Sequence, residues 1–103
     1  MMKATIIVKG MVQGIGFRNF VRVNAKYNSV NGIARNRSDG SVEIFVEGAE
    51  TDINKLLEIL KSPAKASRAS VESVELSPEG SNNYKGPWKD YRDKFLVDER
   101  NSD

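Results

Sequence analysis

The chain has 103 residues, a length that suits one ordinary domain around one core, and its 39% hydrophobic and 29% charged residues fit a soluble globular protein with no apolar stretch long enough to span a bilayer. A net charge of +2 is too small to argue for a nucleic-acid partner. Neither Cys nor His is present, which excludes disulfides, thiolate or imidazole metal ligation, a cysteine or histidine phospho-enzyme and a Ser-His-Asp triad; any base must be a carboxylate, a lysine, a tyrosine or the substrate itself.

Met1 to Lys9 holds only a brief apolar run between lysines and lacks the long apolar region and cleavage site of a signal peptide, so the expected location is cytoplasmic. Ala4 to Lys9 is β-branched and apolar and predicts a strand that stops at Gly10; Gly14 and Gly16 mark the following residues as a loop. From Phe17 to about Asn28, Phe17, Phe20, Val21 and Ala25 recur at helical spacing, a stripe that Asn24 and Asn28 weaken. Gly32 to Arg37 and Ser41 to Glu47 flank Ser38-Asp39-Gly40, and Asp-Gly between strand-like runs predicts a hairpin. In the second run Val42, Ile44 and Val46 alternate with Glu43, Phe45 and Glu47, which predicts a sheet with one apolar face and one mostly solvated face.

Thr51 or Asp52 can cap a second helix running to about Lys61, with Ile53, Leu56, Leu57 and Leu60 on one face, and Ser62-Pro63 ends it. Ala69 to Leu76 predicts a fourth strand, Ser77 to Asp90 a polar loop and Phe95 to Val97 a short final strand. The order βαββαβ predicts an α+β, ferredoxin-like sandwich, an antiparallel sheet with both helices on one face. The expected organisation is a single domain over 1–103, with a core at about 3–97 and a polar tail at 98–103. Such a fold assigns no activity by itself.

Gly10 to Arg18 joins the first strand to the first helix, where backbone N–H groups and the helix dipole favour an anion, and phosphate is the natural ligand class. Gly14 and Gly16 allow successive N–H groups to turn inward, and Arg18 adds a planar, permanently charged fork that matches phosphate oxygens. By residue type alone, the same loop also suits a tight connection, Arg18 a helix-surface cation and Asn36 a strand end that bonds to the turn after it. Gln13 reads as structural, bonding across the loop; Arg22, Arg35 and Arg37 read as solvated charge, and Trp88 and Tyr91 as packing. Asp39, Glu43, Glu47 and Glu50 show no metal-loop spacing, so no metal site is expected.

The string Val8-x-Gly10-x-Val12-Gln13-Gly14-Ile15-Gly16-Phe17-Arg18 closely resembles the first signature of the acylphosphatase family, departing from it only at Ile15, where valine is commoner. Gly32-Ile33-Ala34-Arg35-Asn36-x-x-x-Gly40-x-Val42, with Gly48 closing it, is similar to the second signature, with Ile33 where an aromatic is usual. The resemblance extends through the second helix and, more faintly, to Tyr91-x-x-x-Phe95, covering essentially Lys3 to Val97; Ser62-Pro63 replaces the usual Gly-Pro, and the loop from Ser77 to Asp90, with Trp88, is longer than typical.

The resemblance implies a hydrolase of acyl phosphates that uses no metal and no cofactor. In it, the backbone of Gly14, Ile15, Gly16, Phe17 and Arg18 cradles the phosphate, Arg18 neutralises it and Asn36 holds the attacking water. The composition agrees, because phosphoryl transfer needs mainly positioning and charge stabilisation, and a carboxylate leaves readily without a protein base or a covalent intermediate. The expected partner is a small-molecule acyl phosphate, with no nucleic acid and no membrane, and the expected state is a monomer. Two other readings compete. Ferredoxin-like sheets with exposed aromatics can stack single-stranded RNA, but only Phe45 lies on the presumed open face and the RNP1-type string is missing. Hydrogenase-maturation carbamoyltransferases begin with an acylphosphatase-like region, but the chain stops where such an enzyme would continue, so a free-standing hydrolase is expected.

Overall fold

Apolar residues at every second position build one face of the sheet. Ala4, Ile6 and Val8 of strand β1 (Met2–Met11) lie opposite Val46, Ile44 and Val42 of strand β3 (Val42–Gly48), and all are fully buried. Helix α1 (Phe17–Tyr27) lays Phe17, Val21 and Ala25 on that face, and helix α2 (Glu50–Lys61) adds Ile53, Leu56 and Leu60 to the same core. Phe20 and Leu57, the remaining members of the predicted stripes, are partly buried against it. Strands β2 (Asn31–Asn36), β4 (Ser70–Pro78) and β5 (Phe95–Asp98) complete the chain; in this computed structural model, residues 1–63 and 68–100 are described. Residues 101–103 of the expected polar tail lie outside the described residues.

The second helix starts earlier than its expected cap. Ala49 occupies the N-cap position with no side-chain hydrogen bond, which puts Thr51 and Asp52 inside the helix; Glu50 and Asp52 then favour its first turn through the helix dipole. The β2–β3 hairpin forms where Asp-Gly predicted it. Arg37 N–H donates to the Ser41 carbonyl, Gly40 N–H donates to the Arg37 carbonyl, and Asp39 Oδ1 accepts from both the N–H and the hydroxyl of Ser41. Gly32 brings β2 hard against β3: its φ is 153°, and a Cβ there would stand 1.9 Å from the Phe45 carbonyl oxygen.

The sheet order is β4-β1-β3-β2-β5. Neighbours are antiparallel except β2 and β5, which run parallel, so the sheet is mixed where a purely antiparallel one was expected. The cause is the long connection after β4. It leaves one edge, crosses every other strand and enters the far edge in the direction of β2.

The same crossing corrects the expectation of a mostly solvated second face. Thr5 Oγ1 donates to the Lys85 carbonyl and accepts from the Lys85 N–H, while the Tyr84 and Tyr91 rings lie 6.4 and 5.5 Å from Phe45. Thr5, Glu43 and Phe45 are buried beneath it.

Candidate active site

After β1, Gly14 and Gly16 take φ values of 77° and 79°. A Cβ at Gly16 would meet nothing within 4 Å, so it is the left-handed backbone, and not crowding, that calls for glycine there. This conformation ends the loop and starts α1 without a capping side chain, and Phe17, buried at the first helical position, anchors the helix to the core. Among the described residues no protein acceptor takes the backbone N–H groups of Gly14, Ile15, Gly16, Phe17 or Arg18. Unpaired N–H groups at the positive end of a helix form an anion-binding cradle. Gln13 fixes where this cradle sits: its Nε2 donates to the Arg37 carbonyl at 2.7 Å and the Ser41 carbonyl at 2.8 Å, so that it ties the loop to the β2–β3 turn where a bond across its own loop was expected.

Arg18 projects from the first turn of α1, and its side chain is 21% exposed. Its Nη1 donates to the Asp98 carbonyl at 2.8 Å, and its Nη2 stands 3.6 Å from the carboxylate of Glu99, itself 82% exposed. A guanidinium has five N–H donors, so these contacts leave most of the fork without a protein acceptor among the described residues. Asp98 pairs in register with Arg35, the residue before Asn36. The contact of Arg18 with Asp98 and that of Gln13 with Arg37 therefore bring the cradle to the end of β2 from two sides.

Asn36 closes β2 opposite Val42, on the strand face shared by Ala34, which packs in the core under the helices. Its Oδ1 is buried and no protein donor reaches it among the described residues.

Behind the cradle, the structure differs from the sequence reading. Arg35 was expected in solvent, yet its Nη2 pairs at 3.2 Å with Glu43, whose side chain is 2% exposed, and its guanidinium lies 3.9 Å over the Trp88 ring. Trp88 packs as expected and also donates its indole N–H to Asp98 Oδ2 at 2.9 Å. Asp98 had no sequence signal of its own; the one available pointer was the lone tryptophan, whose N–H needs an acceptor once covered. Burial alone would raise the Asp98 carboxyl, but the Arg100 backbone N–H, the Trp88 indole and the Arg100 guanidinium outweigh it and hold the group below its ordinary value. Tyr91 packs on Phe45 and donates its hydroxyl to Glu47 Oε1; burial first, and the Glu47 carboxylate next, push that hydroxyl well above the usual tyrosine range. Arg22 is solvated, as expected, and bonds to Asn19.

Among the described residues no three or more Asp or Glu side chains cluster as a metal site would require, and no helix is long and apolar enough to cross a membrane.

A model of the acylphosphatase family matches residues 4–91. An acylphosphatase of Caldivirga maquilingensis is 44% identical over 86 residues, covering 82% of this chain and 88% of its own. The crystal structure of acylphosphatase from Bacillus subtilis superposes with a TM-score of 0.73 at 32% identity, covering 94% of this chain and 98% of that one. Full-length HypF, in its phosphate- and nucleotide-bound form, superposes with a TM-score of 0.75 at 28% identity, over 97% of this chain and 12% of that one.

Proposed function

The chain belongs to the acylphosphatase family and hydrolyses acyl phosphates to a carboxylate and inorganic phosphate, and on that premise we propose that Arg18 and the Gly14–Arg18 backbone hold the phosphoryl group while Asn36 holds the attacking water. The phosphoryl oxygens accept from the N–H groups of Gly14, Ile15, Gly16, Phe17 and Arg18 and from those guanidinium N–H groups that Asp98 leaves free. Water donates to Asn36 Oδ1, which turns an oxygen lone pair toward phosphorus. The new P–O bond forms in line with the breaking bond to the acyl oxygen, and the carboxylate departs with that bond's electrons. The water's proton passes to a phosphoryl oxygen of the substrate. Charge in this transition state is met by Arg18 and fixed backbone dipoles, so the scheme calls for no metal, cofactor or protein base.

The observation that carries this reading is the buried, unpartnered Oδ1 of Asn36 at the end of the strand to which the cradle is tied. An acceptor without a protein donor is suited to a water that must be held by its hydrogen.

Carboxylate release from benzoyl phosphate tests the two roles separately. Arg18 touches phosphate in the ground state and the transition state, so Arg18→Ala should raise KM and the inhibition constant of inorganic phosphate and lower kcat, a combined loss on the order of 3 kcal/mol or more. Arg18→Lys should also be poor, because an ammonium cannot make two parallel N–H bonds. Asn36→Ala leaves the anion cradle intact, so kcat should fall about a hundredfold or more while phosphate still competes with near-normal affinity. A folded Asn36→Ala enzyme with near-wild-type kcat would overturn the water-holding role. The proposal takes the enzyme as a cytoplasmic monomer; sedimentation at the mass of two chains would refute the monomer.

A further inference from the structure

Arg18 has to present its free N–H groups to phosphate in one orientation, and a long side chain held by nothing samples many rotamers. Among the described residues its shortest contact is the 2.8 Å bond from Nη1 to the Asp98 carbonyl; the exposed Glu99 carboxylate stands farther off, at 3.6 Å from Nη2. That carbonyl belongs to the last residue of β5, a strand of four residues at the edge of the sheet. Strand ends of this kind open most readily, so the ladder to β2 is a poor anchor on its own.

The Asp98 side chain supplies a second anchor. It is 5% exposed, and both of its oxygens are taken: Oδ2 by the Trp88 indole N–H at 2.9 Å, and Oδ1 by the Arg100 N–H at 3.0 Å and the Arg100 guanidinium at 3.3 Å. Trp88 is itself held under the Arg35 guanidinium, which pairs with Glu43 inside the sheet. An unbroken series of contacts thus runs from the buried Glu43 to the Arg18 guanidinium without passing through the loop before α1.

We propose that Trp88 and Asp98 are positioning residues for the phosphate-binding arm: the indole N–H clamps the Asp98 carboxylate, and the clamped end of β5 holds its carbonyl where Arg18 needs it. This assigns a role to the extended segment between β4 and β5, which delivers a hydrogen-bond donor to the end of the last strand. The proposal rests on the reading of Arg18 as the phosphate arm.

Trp88→Phe and Asp98→Ala test it, each made alone and in an Arg18→Ala background, with Asp98→Asn as an intermediate. Trp88→Phe keeps a ring over Arg35 but removes the donor; Asp98→Ala removes the carboxylate and leaves the backbone carbonyl. KM and kcat for benzoyl phosphate, the inhibition constant of inorganic phosphate and stability in urea are measured for all. Trp88→Phe should raise KM and the phosphate inhibition constant together by about threefold to tenfold, the worth of one hydrogen bond, and Asp98→Ala by at least as much. Asp98→Asn, which keeps an oxygen for the indole, should fall between wild type and Asp98→Ala. With Arg18 already replaced, neither substitution should weaken phosphate further, whereas a general loosening of the fold would weaken it in both backgrounds. Should Asp98→Ala fail to fold, Trp88→Phe decides the matter. Unchanged phosphate affinity in the folded single variants, or an equal loss without Arg18, overturns the clamp and leaves the phosphate arm standing. An Arg18→Ala variant with unaltered phosphate affinity would sink the phosphate arm itself, and the clamp with it.

Discussion

A buried amide oxygen without a donor costs about 1–3 kcal/mol, and Asn36 Oδ1 stands in that position. A residue kept for packing or for the turn would be expected to have its polar atoms satisfied; one kept for water need not. Asn36→Ala should therefore be at least as stable as wild type in a urea titration, even as its kcat falls. A loss of more than about 2 kcal/mol would mean that the side chain holds the fold together. Asp98 makes the opposite case, because its carboxylate is fully bonded and more acidic in the fold than in the unfolded chain. Such a group adds stability above its unfolded pKa and loses it as pH falls through the folded value. The stability advantage of wild type over Asp98→Asn should thus be constant near neutrality and shrink below about pH 4, as urea titrations across the acid range would show. An advantage that persists unchanged at the acid end would refute the charge-dependent clamp.

Between elements, the decisive joint is the one Gln13 makes between the loop before α1 and the β2–β3 turn. Backbone carbonyls 37 and 41 are the acceptors, so the contact depends on the amide's donors and not on any side chain across from it. Gln13→Ala should cost about 1–2 kcal/mol of stability, the sum expected for two such bonds, and should weaken phosphate binding because the cradle loses its fixed distance from Asn36. Equilibrium unfolding and phosphate inhibition measure both; a variant less stable but with unaltered phosphate affinity would show that α1 alone shapes the cradle. The helix contributes the dipole and its uncapped first turn, while the hairpin contributes Asn36. Neither element carries the chemistry by itself.

Across the whole molecule, the segment between β4 and β5 closes over the sheet's second face and buries Thr5, Glu43 and Phe45. It also places Tyr84 and Tyr91 where burial raises their hydroxyl pKa values, so neither ionises near neutral pH. With no histidine or cysteine in the chain and Arg18 permanently charged, the rate should show no enzyme-derived step between about pH 6 and pH 8. A bell centred near neutrality, after allowance for substrate ionisation, would reveal an acid or base outside this mechanism. Activity should likewise survive exhaustive chelation, since in the proposed scheme Arg18 and the backbone dipoles meet the charge that a metal would otherwise take. Inactivation by EDTA that a divalent ion reverses would refute it.

Much of the fold is legible in the sequence because the signals are local. Period-two alternation in Val42 to Glu47, the helical spacing of Ile53, Leu56, Leu57 and Leu60, and Asp39-Gly40 between two strand-like runs each depend on residues within a few positions of one another. The two signature strings are equally compact, so the amino-acid sequence by itself carries the family and the candidate pair Arg18 and Asn36. Tertiary structure alone decided the parallel pairing of β5, the burial of Glu43 and its pairing with Arg35, and the bond from Arg18 to the Asp98 carbonyl. Arg18 and Asp98 are 80 positions apart, and their contact exists only because the chain crosses the sheet to reach its far edge. No periodicity encodes such a contact: it is set by which edge a strand has left open and what the crossing segment must cover on its way there.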